Sequence, residues 1–117
     1  MMELIVRLRE WFAGRPPNLF ANPGVWYEGG DGATPEGAIV VRGAESDIEG
    51  TAATFAWMFD RFGLKDEGWQ LRSHSTGLFE ARHIDTFDFA LPDGSRRRLY
   101  FDVTESFGRP FRPDRPS

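Results

Sequence analysis

Apolar and polar residues alternate from Arg82 to Thr104 on both sides of Pro92-Asp93-Gly94, the sequence pattern of a β-hairpin. Pro presets φ at the first turn position, Asp tolerates the second, and Gly supplies the left-handed conformation at the third. A three-residue loop closed by a glycine bulge pairs Leu91 with Ser95. Outward from there Phe89 faces Arg97, Phe87 faces Leu99, Asp85 faces Phe101 and His83 faces Val103. On the other side of the pleat Ala90, Asp88, Thr86 and Ile84 face Arg96, Arg98, Tyr100 and Asp102. A two-residue Asp93-Gly94 loop would set Asp85 against Asp102 and use Pro92, which has no N–H, as a strand residue. A one-residue slip turns every side chain to the other face, so the pattern favours the first register. That register gathers Phe87, Phe89, Leu91, Leu99, Phe101 and Val103 on one face. Burying each is worth about 1.5–3 kcal/mol, which makes this face an expected wall of the core.

Elsewhere the period is mostly helical. Leu4, Ile5, Leu8, Trp11 and Phe12 predict an amphipathic helix over 2–13, stopped by Gly14 and the prolines behind it. Residues 15–37 are rich in Pro and Gly and read as turns around a short edge strand at Val25-Trp26-Tyr27. Ala38 to Arg42 reads as a buried strand. Ser46-Asp47-Ile48-Glu49 is a capping box, and a helix is predicted from there to Phe62, with Gly63 as its stop. Its expected core stripe is Ile48, Ala52, Phe55, Phe59 and Phe62, with Trp57 opposite among Gly50, Ala53 and Thr54. Trp69 to Ser75 alternates as a strand, with Trp69, Leu71 and Ser73 on one face and Gln70, Arg72 and His74 on the other. Thr76-Gly77 is expected to begin a turn or bulge.

The predicted fold is α+β: a mainly antiparallel sheet of four to five strands with two helices packed on one side. The last three strands form a meander ending in the long hairpin. Residues 1–106 are expected to form a single domain, followed by a mobile Arg/Pro-rich tail over 107–117. This element order, with a helix before three closing antiparallel strands, loosely resembles the cone fold of nuclear-transport-factor-like proteins. The resemblance implies a possible apolar pocket; resting on order and length, it assigns no catalytic residue.

Composition narrows the chemistry. The 117 residues include no Cys and only two His, which excludes disulfides, thiolate catalysis and zinc sites built on Cys or many His. No metal and no cofactor is expected. No apolar run approaches a membrane span, and Glu3 and Arg7 interrupt the N-terminal apolar stretch, so a cytoplasmic protein is expected. The net charge of −4 argues against a nucleic-acid partner. Pro110-Phe111-Arg112-Pro113-Asp114-Arg115 fits the PxxPxR pattern of polyproline ligands, a pattern that Arg/Pro-rich tails often meet by chance.

Four groups of residues could carry chemistry. His83 and Asp85, with Glu80 near them, share a strand face, and a His beside a carboxylate can act as a general base. Thr86, Asp88, Arg98, Tyr100 and Asp102 share the face away from the Phe residues and form either a solvated ladder or a polar pocket. Arg96-Arg97-Arg98, with Arg72 and Arg82, could bind an anion, although alternation splits the run between two faces. His74 lies between Ser73 and Ser75, which point away from it, so no local triad forms. Trp57 is a candidate binding residue because its small neighbours leave it wanting a partner. Trp26 and Tyr27 are candidate rim residues beside the glycine-rich loop. The leading expectation is a non-catalytic binding or interaction protein of the accessory, adaptor or toxin-neutralising type. Its partner would be another protein or a second copy, met through the Trp57 face or the outer hairpin face. The alternative is a small cone-fold hydrolase or isomerase with an aromatic-lined pocket using His83 and Asp85.

Overall fold

The computed structural model describes residues 24–112. They form five strands and a helix: β1 (Trp26–Gly29), β2 (Ile39–Arg42), α1 (Asp47–Phe62), β3 (Gln70–Phe79), β4 (Arg82–Ala90) and β5 (Arg96–Asp102). The strands make one sheet in the order β1-β2-β5-β4-β3. The predicted helix over 2–13 lies outside the described residues, so α1 is the one helix where two were expected.

The hairpin has the register expected of it. Every pair from Ile84↔Asp102 to Ala90↔Arg96 is present. Leu91 donates its N–H to the Ser95 carbonyl, and Gly94 closes the loop at φ 88°. Phe87, Phe89 and Phe101 are fully buried, and Ile39, Val41, Leu99 and Val103 join them in the core.

The sheet is mixed rather than mainly antiparallel. β2 lies parallel to β5, with Ile39 opposite Phe101 and Val40 opposite Asp102. The connectivity explains this. After β2 the chain returns along α1, so β3 starts from the same end as β2 and runs in the same direction. Two reversals, β3 to β4 and β4 to β5, then give β5 the direction of β2 as well.

Ser46 caps the helix as read. Ser46 Oγ accepts from Glu49 N–H and donates to Glu49 Oε1 at 2.9 Å. The buried face of α1 differs from the expected stripe. Ile48 is 64 % exposed, whereas Gly50, Ala53, Thr54, Ala56 and Met58 are buried. Phe55 and Phe62 still reach the sheet, meeting Phe87 and Phe89 at 5.1 Å between ring centroids. Trp57 turns inward and sets its ring edge-on to Phe101 at 5.4 Å. The helix thus buries a different and broader side than the expected stripe. Small residues permit this. A Cβ on Gly50 would lie 2.1 Å from Ser106 Oγ, so glycine lets the segment after β5 press against the helix.

β3 is longer than expected and ends elsewhere. It continues through Thr76 and Gly77 to Phe79, and the chain reverses at Glu80-Ala81. Both turn residues have positive φ, 49° and 66°, the geometry of a type I′ turn. One extra residue also interrupts the β3–β4 ladder. Leu71 pairs with Phe89 and Ser73 with Asp88, which leaves Arg72 in a bulge. The bulge moves His74 to the face of Leu71 and Phe87, contrary to the simple alternation.

Two residues at the start of the expected tail contact the domain. The Phe107 ring stacks on His83 at 3.7 Å, and Asp47 N–H donates to the Arg109 carbonyl. Among the described residues no helix is long and apolar enough to cross a membrane.

Candidate functional site

The sheet has an inner face, which packs against α1, and an outer face. The hairpin register places Thr86, Asp88, Arg98, Tyr100 and Asp102 together on the outer face. Arg98 reaches Asp88 with two nitrogens, Nε to Oδ1 at 2.6 Å and Nη2 to Oδ2 at 3.3 Å. Ser73 Oγ donates to Asp88 Oδ2 from the third strand. These bonds, the one from Arg98 first, hold the Asp88 carboxyl below the usual carboxylate range. Asp88 and Tyr100 in turn raise the Arg98 guanidinium above its ordinary value.

Asp102 belongs to a different network. Burial by itself would push its carboxyl up. The Thr104 hydroxyl and amide and Arg82 Nε all donate to it and hold it low instead. Arg82 thereby bridges β4 and β5. The Arg72, Arg82 and Arg96–Arg98 set is consequently not one patch, because Arg82 and Arg98 each neutralise a carboxylate.

At the far end of the outer face Arg42 is gripped by Glu28 and Glu105. Trp26, beside it, is 53 % exposed and donates its indole N–H to Glu28 Oε2. Trp26 and Tyr27 fall on opposite faces of β1. Tyr27 points inward and donates its hydroxyl to the Ala53 carbonyl of α1 at 2.7 Å. Burial, with the nearby Asp60 charge second, pushes the Tyr27 phenol up to about 12. The expected rim pair is thus one surface residue and one strut between sheet and helix.

The inner face carries a polar cluster that local sequence did not connect. Asp85 is 2 % exposed among the core aromatics. It accepts from Thr76 Oγ1 at 2.6 Å, and His74 Nε2 lies 3.4 Å from its other oxygen. The His74 ring lies over Phe87 at 4.4 Å and meets Phe55 edge-on. His83, expected beside Asp85, is occupied by its stack on Phe107. The bulge at Arg72 makes His74 the histidine at Asp85. Such a pair can hold or pass a proton, and the described residues place no Ser or Cys nucleophile against it. Among the described residues no group of three His, Cys, Asp or Glu is arranged to hold a metal ion.

The most open feature is β3 itself. It is an edge strand with β4 on one side and no strand on the other among the described residues. Eight of its ten residues are exposed, the other two half-buried. Leu78 is 70 % exposed and stands across from His83, on whose ring the half-exposed Phe107 stacks. No motif announced this surface, and only an alternation carried through Thr76-Gly77 to Phe79 would have revealed it. No protein-family model, curated protein or solved structure matches the chain.

Proposed function

We propose that this chain is a non-catalytic interaction protein, of an accessory, adaptor or toxin-neutralising kind, that meets a protein partner through its sheet. The observation that carries this reading is the exposed third strand with Leu78 standing free on it. An edge strand presents a row of unpaired backbone donors and acceptors, which is the template for strand addition. The ionisable groups of the outer face support the same reading. Arg42, Arg82 and Arg98 and the carboxylates they meet are used up in ion pairs and side-chain hydrogen bonds, so they serve rigidity and surface shape more than reaction.

The reading is tested by recovering the protein from its native cell under gentle conditions and measuring the intact mass of the particle. A complex with protein is expected. A chain carrying only a small molecule would overturn the reading. In that event the alternative of a small hydrolase or isomerase would draw on His74 with Asp85, and His74→Ala would abolish turnover of the bound compound.

A further inference from the structure

We infer that the partner of β3 is a second copy of the same chain, paired antiparallel about a two-fold axis at Thr76. This rests on the interaction reading above and names its partner. The hydrogen-bond phase of the sheet fixes which groups are available. Leu91 bonds to Ser95 across the hairpin loop, and Val103 N–H donates to the His83 carbonyl. The odd-numbered residues of β4 therefore bond to β5 and the even-numbered ones to β3. On β3, Ser73, Ser75, Gly77 and Phe79 are opposite those even-numbered residues. His74, Thr76 and Leu78 are left with N–H and C=O directed at the free edge.

Beyond its bulge at Arg72, this edge lacks the usual protection. Natural edges carry Lys, Pro, inward charges or bulges. Between the Arg72 bulge and the Glu80 turn, the run Ser73–Phe79 has no Lys, Pro, Asp, Glu or Arg. Its two ends carry opposite charges, Arg72 and Glu80, both exposed. A two-fold axis at Thr76 sets Arg72 opposite Glu80 of the other copy, and the symmetry makes that pair twice. It also sets Leu78 opposite His74 of the other copy, on the inner face. The over-exposed leucine then covers a histidine already seated on Phe87 and Phe55. On the outer face Ser75 meets Gly77, whose missing side chain leaves open space.

The neighbouring registers are worse. An axis at Ser75 puts Arg72 against Leu78 and leaves both charges unmatched. An axis at Gly77 puts Glu80 against His74 and carries Arg72 past the end of the other copy's β3, because Arg82 lies on β4 and is held by Asp102. The Thr76 register gives three narrow pairs and about six backbone hydrogen bonds. One strand per copy is a small interface, so the dissociation constant is expected on the order of 100 µM.

The test is sedimentation of the full chain across concentration, with amide hydrogen exchange on the same samples. The mass should rise from 13.3 kDa towards twice that value, and the His74, Thr76 and Leu78 amides should slow as it does. Leu78→Lys should abolish the rise without lowering the melting temperature. Arg72→Glu should weaken association about tenfold, and Arg72→Glu with Glu80→Arg should restore it. A dimer indifferent to these variants would overturn the inference, because it would use another surface. So would a monomer whose three edge amides are already slow, because the chain itself would then cover the edge. A monomer that takes up a different protein from its native cell, sensitive to Leu78→Lys, would overturn the second copy but leave the interaction reading standing. A monomer that takes up none overturns both.

Discussion

Single residues show where this fold holds strain and where it stores charge. Glu80 and Ala81 both sit at positive φ. An L-residue in that region costs about 1–2 kcal/mol, and the type I′ turn they form prefers Asn-Gly. Glu80→Asn with Ala81→Gly should therefore raise stability by roughly 1–2 kcal/mol in denaturant titration. An unchanged midpoint would mean that the turn is not held as described. Asp102 gives a pH signature. Its carboxyl lies below the value of 3.8 expected for a free aspartate. A depressed folded pKa stabilises above the unfolded pKa, and that stabilisation is lost as pH falls through the folded value. The melting temperature should drop on acidification from about pH 5, and Asp102→Asn should flatten that drop. Tyr27 behaves in the opposite sense. With its phenol at about 12, its contribution is complete below the free value of about 10 and is lost as pH rises towards 12.

Elements explain both the successes and the failures of reading this chain. The hairpin was legible because three independent signals agreed: the Pro-Asp-Gly turn, the alternation, and the Asp88–Arg98 pairing. The face of α1 was not, because its apolar residues run most of the way round. Ile48 and Phe59 suggest one stripe, Ala53 and Trp57 another, and packing against Ser106 and Phe101 selects between them. In β3 the misleading signal was Thr76-Gly77, which resembles a turn, while the real turn at Glu80-Ala81 carries no turn residue. The bulge at Arg72 leaves no mark in composition, yet it decides which histidine meets Asp85. Two substitutions test the helix placement. Trp57→Ala removes the ring that abuts Phe101 and should cost about 2–4 kcal/mol, below a fully buried Trp because the ring is partly exposed. Gly50→Ala should also destabilise, since Ser106 occupies the space. An unaltered melting temperature for both would contradict this helix placement.

At the scale of the whole molecule, one face of the sheet is closed by α1 and the other is stiffened by ion pairs. Among the described residues β1 and β3 are the two edge strands, and β3 is the longer, with ten residues against four. Another protein is expected to complete the sheet at the β3 edge. The most direct measurement replaces Leu78 with a photoreactive residue in expressing cells, irradiates them, and weighs the covalent product intact. An adduct of protein size is expected at position 78 and none when the same residue replaces Asp93 at the hairpin tip. An unmodified chain at position 78, alongside an adduct formed from position 26 or 93, would contradict that expectation.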